Sequence, residues 1–223
     1  WLTSTTEQWA VIAVQGPRAR DVIAPLVEGI DLTAAAFPHM SIAACRVGGV
    51  EARLFRVSFT GELGFEINVP TDYGAAVWDA VWGEVQRLDG CAYGTEAMHV
   101  LRAEKGFIIV GQETDGTVTP DDVGLGWAIG KGKRDFVGSR SLSRPDMVRE
   151  GRKQLVGLLT ADPALVLDEG AQVTAGPRPP IGTPALGHVT SAYWSAALGR
   201  SIALALVADG RKRMGERLNV PMP

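Results

Sequence analysis

The sequence predicts an α+β protein in which an antiparallel sheet carries helices on one face and is followed by a small β-rich barrel or sandwich. Three observations carry this reading. Stretches of period 2 and period 3.6 alternate through the first half. The pair Gly48-Gly49 divides two strand-like segments, as a tight hairpin requires. From Gln154 to Val220 only short apolar segments remain, each punctuated by Gly, Pro or Asp.

Taken in order, the run WAVIAV from Trp9 to Val14 is apolar throughout and is expected to be a fully buried strand. Gly16-Pro17 ends it, and Pro17 opens a helix whose Val22, Ile23 and Leu26 share one face. SIAACRVGGVEARLFRVSF then forms the hairpin, and after the turn FTGELG the residues Phe65 to Val69 form another strand. Pro70-Thr71 stops that strand, with Thr71 as the expected helix cap. From Asp72 to Leu88, apolar residues recur at Val77, Trp78, Val81, Trp82, Val85 and Leu88, a helical spacing that assigns Trp78 and Trp82 to the core. A further helix runs from about Thr95 to Lys105, with Gly106 as its stop. The polar, turn-rich VGQETDGTVTPDD crosses the surface near a domain junction. Beyond it, LVGLLT, AQVTA, ALGHVTSAYWS, SIALALV and GERLNV read as strands.

The 223 residues are 46% apolar and 21% charged with a net charge of −3, a globular balance that can support one large or two small cores. The slight acidity argues against a phosphate-binding stripe, so no nucleic-acid partner is expected. No membrane partner is expected either, since no run of about 18 apolar residues occurs. Cys45 and Cys91 form no CxxC pair and no ligand group with the three histidines, which suits a reducing compartment without structural zinc. A cytoplasmic location is the corresponding expectation. The chain opens at Trp1 without an initiator Met and closes on VPMP directly after a strand-like stretch, so it reads as a piece of a longer polypeptide.

No GxGxxG after a strand, GxxxxGK[ST], HExxH or GxSxG occurs. The most informative segment is FTGELGFEI at Phe59 to Ile67. Gly61 and Gly64 permit a tight turn, and strand alternation points Glu66 away from the face taken by Phe65 and Ile67. From the residues alone, Glu66 is either a solvated carboxylate or one held in a cleft.

FTGELGFEI, then LRAEKGF, then GQETDGTVTPDDVGLGWAIGK follow one another as in the aminomethyltransferase, or glycine-cleavage T-protein, family, which the chain resembles over most of its length, with VQGP at residues 14–17 near its start. YGTEAMHVLRAEKGF and DFVGSRSLSRPDM look most like the folate-binding C-terminal half of the sarcosine oxidase α subunit. The resemblance implies the family's folate-binding α+β fold and C-terminal barrel. The expected domains are an α+β folate-binding domain over 1–112, a connecting segment with a short helix over 113–152, and a barrel domain over 153–223, the first incomplete at its start and the last at its end. The implied activity is transfer of the one-carbon unit of an oxidised N-methyl amine, such as the imine from sarcosine, to tetrahydrofolate, giving methylenetetrahydrofolate and glycine. FAD, FMN and NAD would belong elsewhere in a hetero-oligomeric sarcosine oxidase, whose other subunits are the implied partners. The alternatives are a non-catalytic folate-binding scaffold or a T-protein of the glycine cleavage system.

In the family, the carboxylate ending the TGExGxE pattern binds the pterin, and Glu66 matches it. Phe59 matches an aromatic position that is usually Tyr, and Trp127 a family tryptophan near the same cavity; both are equally readable as core. The family's folate-binding arginine aligns with Met98, which cannot pair with a carboxylate; Lys131, Lys133 and Arg134 are the nearest basic cluster, more simply a solvated face. The family's catalytic aspartate would precede Trp1, so no catalytic residue is assigned and the fragment alone is expected to be inactive. Arg102 and Glu104 read as structural helix residues, Asp122 as a turn or loop organiser, and His39, His99 and His188 as packed or surface residues.

Overall fold

The computed structural model describes residues 1–222. The chain divides into two compact units, Trp1–His99 and Val100 onward.

In the first unit, five strands form one antiparallel sheet in the order β1-β5-β4-β3-β2: β1 Trp9–Gln15, β2 Val27–Glu28, β3 Ile42–Val47, β4 Val50–Phe55 and β5 Gly64–Pro70. β3 and β4 make the expected hairpin. Val47 pairs with Val50, leaving Gly48 and Gly49 as the two turn residues at φ +57° and +80°, the left-handed values that a two-residue hairpin loop needs. Helices α1 (Ala19–Ile23) and α2 (Gly74–Arg87) cover one face. There Ile12 lies opposite Ile67, Val14 opposite Phe65 and Leu54 opposite Ile67, and Val22, Ile23, Val77 and Val81 close the core over them. Complete burial of Phe65, Ile67 and Leu54 stabilises this sheet by roughly 1.5–3 kcal/mol each.

The opposite face is open. Trp9, Val11, Ala13, Ile42, Arg53, Phe55, Glu66 and Asn68 alternate with the core residues along their strands. The run WAVIAV is therefore buried on one side only: Val11 is 55% exposed. A continuous apolar run is consistent with two buried faces, but this one has an apolar residue on an uncovered side. The Trp9 ring instead carries the Arg53 guanidinium at 4.3 Å.

Two further local expectations change. Thr71 does not cap α2, because it starts a short 3-10 turn and donates its hydroxyl to the Glu7 carbonyl at 2.6 Å. Trp78 is 48% exposed and Trp82 half-buried, since the buried line of α2 runs through Val77 and Val81 and the tryptophans sit one residue, about 100°, around the helix.

Helix α3 (Thr95–Glu104) carries the chain into the second unit and ends at Gly106, φ +73°. Short turns and α4 (Pro145–Val148) lead to a four-stranded antiparallel half-barrel of order β6-β9-β8-β7, with β6 Lys153–Leu159, β7 Gln172–Val173, β8 Gly187–Ser195 and β9 Arg200–Ala208. β9 is buried nearly throughout because both of its faces are covered. Ala203, Ala205 and Val207 meet Val173 and Val189 on one side, and Ile202 and Leu204 meet Ala103 on the other. GERLNV contributes a single bridge, Asn219 to Thr174, in place of a strand.

Candidate functional site

The turn before β5 is built by Gln15, the last residue of β1. Its side-chain oxygen accepts hydrogen bonds from the hydroxyls of Ser58 at 3.0 Å and Thr60 at 3.1 Å. The Gly16 N–H donates to the Leu63 carbonyl at 2.8 Å, so VQGP and FTGELG form one unit across the sheet end. Gly61 takes φ +78°. Gly64 faces the Gln15 amide so closely that a Cβ there would lie 2.2 Å from its oxygen. This arrangement fixes the start of β5 and delivers Glu66 two residues later onto the open face.

Glu66 pairs in register with Ala13 of β1 and Phe55 of β4. One neighbour is small and the other flat and apolar. The residue is half-buried, and among the described residues no hydrogen bond or ion pair engages its carboxylate. Tyr93, in the loop before α3 and 38% exposed, lies within its electrostatic reach. Burial first, and the Glu66 charge second, push the Tyr93 phenol above its usual range, so it stays protonated and able to donate near neutrality. Sequence reasoning passed over Tyr93, although YGTEAMHVLRAEKGF begins with it.

Phe59 is half-buried in the same turn as Thr60, which is fully buried. Trp127 belongs to the second unit, where it sits in a 3-10 turn and is 78% exposed, so it is not core. Met98 is half-buried on α3, and Lys131, Lys133 and Arg134 are exposed, with the Lys133 ammonium 5.9 Å from the Phe136 ring centroid.

Two charged clusters in the second unit pair acid with base internally, with Arg102 Nε left as a buried donor without an acceptor. Arg102 is fully buried and donates to Glu113 at 2.9 Å, Ser191 at 2.6 Å and the Phe107 carbonyl at 3.1 Å, while Ser191 donates to the other oxygen of Glu113. Glu104 accepts from Ser195 at 2.5 Å. Buried Asp122 accepts from the N–H and hydroxyl of Thr119, both at 2.8 Å, and pairs with Arg152. Burial alone would raise the Asp122 pKa, but the hydrogen bonds from Arg152 and Thr119 outweigh it and hold the carboxyl below its usual range. A cavity of about 400 Å³ opens beside this pair, lined also by Ile129, Met147 and Asp209. Among the described residues, no group of three His, Cys, Asp or Glu side chains is placed to hold a metal ion, and no helix is long and apolar enough to cross a membrane. His39 is exposed, whereas His99 and His188 are half-buried.

Comparison with known proteins decides the family. The GCVT N-terminal domain matches residues 1–133, and the glycine cleavage T-protein C-terminal barrel domain matches residues 153–223. The chain belongs to the glycine-cleavage T-protein family. Within it, the chain is 54% identical to the sarcosine oxidase subunit alpha of Corynebacterium sp. (strain P-1), covering 99% of this chain and 23% of that one. It is 38% identical to the same subunit of Rhizobium meliloti, over 98% of this chain and 22% of the relative. An aminomethyltransferase of Thermotoga sp. (strain RQ2) is 33% identical, over 100% of this chain and 57% of its own. This T-protein family chain thus spans under a quarter of its sarcosine oxidase relatives and just over half of the aminomethyltransferase. The fold agrees with the crystal structure of glycine cleavage system aminomethyltransferase T from Bartonella henselae, at a TM-score of 0.74 and 23% identity over 91% of this chain and 52% of that one.

Proposed function

We propose that the chain is the folate-binding, aminomethyltransferase-like module of a sarcosine-oxidising enzyme, and that Glu66 anchors the pterin of tetrahydrofolate. The observation that carries this is the Glu66 carboxylate, held on the open sheet face between Ala13 and Phe55 without an internal partner. A pterin edge offers an amino group and a ring N–H side by side, and one ionised carboxylate accepts both in a paired, charge-assisted arrangement. Phe55 and Phe59 supply flat apolar surface for the ring system, and Tyr93 adds a phenolic donor beside the carboxylate, which Phe59 lacks. Trp127, exposed on its turn, is retained as a further folate contact.

When bound, tetrahydrofolate supplies the nucleophilic nitrogen that accepts the one-carbon unit of the oxidised amine. Glu66 fixes the ring edge, so the Gln15-braced turn that positions β5 also sets where that nitrogen stands. The proposed division is a folate-binding domain over 1–112, a connecting segment over 113–152 and the barrel domain over 153–223. In this reading the module works in the cytoplasm with the other subunits of a hetero-oligomer, where amine oxidation takes place. Met98 in place of the family arginine favours a second reading, a folate-binding scaffold without transfer activity.

Tetrahydrofolate titration of the full parent chain and its Glu66→Gln variant tests the anchor. The variant keeps size and one acceptor but loses the charge, and binding is expected to weaken at least about tenfold, given roughly 1.5–3 kcal/mol for hydrogen bonds to a charged group. Equal affinity in two equally stable proteins removes Glu66 from the site. Formation of methylenetetrahydrofolate by the intact complex distinguishes the transferase from the scaffold.

A further inference from the structure

On the helix-covered side of the first unit, two cations share one ring. Arg20 on α1 and Arg56, one residue past β4, each place the guanidinium carbon 5.3 Å from the centroid of fully buried Phe65. Phe37 lies parallel to the same ring, 6.4 Å away with planes 5° apart. An aromatic face attracts a cation but provides none of the in-plane acceptors that a guanidinium fork requires.

The hydrogen bonding of this pair is incomplete. Arg56 Nη1 donates to the Gly64 carbonyl at 3.2 Å. Arg56 Nε and Arg20 Nη1 are buried without an acceptor. Among the described residues no carboxylate pairs with either guanidinium; Asp21, the acid beside Arg20 on α1, is turned to Arg18 at 3.5 Å. Arg56 is moreover pushed below the usual arginine range, by burial first and by the Arg20 charge second, so the two cations repel each other. Arg102 and Arg152 in the second unit are shielded too, and each meets a carboxylate.

We propose that Arg20 and Arg56 together form a receptor for one carboxylate group. A carboxylate is planar, presents two acceptors to two forks, and offsets the repulsion between the two cations. The receptor is distinct from the site of Glu66: Phe65 and Glu66 are consecutive on β5, so they project to opposite faces of the sheet. The inference therefore stands apart from the folate reading. The same chemistry has two sources, a small carboxylate ligand or an Asp or Glu side chain from the longer parent polypeptide.

The test uses the full parent chain, with sodium acetate as the probe against sodium chloride at matched ionic strength. Thermal unfolding midpoints are followed for wild type, Arg20→Gln and Arg20→Lys. For a free ligand, acetate raises the wild-type midpoint over chloride, Arg20→Gln weakens the apparent affinity at least about tenfold, and Arg20→Lys, which keeps the charge and loses the fork, lies between. For a protein source, acetate has no specific effect, and a crystal structure of the full chain, grown without carboxylate buffers, shows an Asp or Glu carboxylate within hydrogen-bond distance of both guanidiniums. Either result supports the receptor and identifies its occupant. Should Arg20→Gln fail to fold, Arg20→Lys and the crystal structure still decide. The proposal is overturned if acetate shifts wild type and variants equally, or if it shifts none of them and the crystal structure places no carboxylate on the pair.

Discussion

Replacing Arg102 by Met probes one of two completely buried charges among the described residues, the other being its partner Glu113. Met retains much of the apolar stem but removes the guanidinium, which donates to Glu113, Ser191 and the Phe107 carbonyl and lies 3.3 Å from Gln112 and 3.4 Å from the Tyr193 hydroxyl. Glu113 would keep only the Ile109 N–H, at 2.7 Å, and the Ser191 hydroxyl, while remaining completely buried. Leaving one charge of a buried pair uncompensated costs about 3–5 kcal/mol. With a urea slope of about 2 kcal/mol per molar, the midpoint of the second unit should fall by about 1.5–2.5 M. Circular dichroism during urea denaturation measures it, and Arg102→Met combined with Glu113→Gln should recover much of the loss because the stranded charge is gone. A single-variant loss under about 1 kcal/mol, or a double variant that loses the full sum of the two singles, would refute the claim that mutual compensation holds this cluster.

Two other outcomes follow from the same kind of accounting. Gly64→Ala should cost about 1–3 kcal/mol in thermal unfolding, because the new Cβ displaces the Gln15 amide from Ser58 and Thr60; Gln15→Ala should cost less on the Gly64→Ala background than in wild type. Asp122 is held below its unfolded pKa, so its contribution is present above about pH 4 and disappears as pH falls through the folded value; Asp122→Asn should flatten the acid limb of a stability-against-pH curve, and an unchanged limb contradicts the assignment.

What was legible in the sequence is what local chemistry decides. Gly48-Gly49 marks its hairpin because few other residue pairs take two consecutive left-handed conformations. The alternation at Phe65 to Val69 gives the correct faces of β5, and with them the side on which Glu66 stands. Contacts between distant residues were not legible. Gln15 looks like the polar end of a strand, and only the β1–β5 register brings it to Ser58, 43 residues away. Ser191 meets Arg102 across 89 residues, and a helix reading of LRAE gives no sign of that partner. Tyr93 precedes a helix and shows nothing locally of its relation to Glu66. The site is thus readable down to its carboxylate, whereas the groups that brace and surround that carboxylate come from the pairing of strands.

β1 stands at the end of its sheet order, and its seven residues include no charge and no proline. Edge strands in stable proteins commonly carry a lysine, a proline or a bulge that discourages further pairing. WAVIAVQ carries none of these, so its outer flank is a template on which another extended segment can add. The same strand ends in the glutamine that braces the carboxylate-bearing turn. Any segment that zips onto this edge, including a second copy in a concentrated preparation, would therefore act on the geometry of the site through β1 itself.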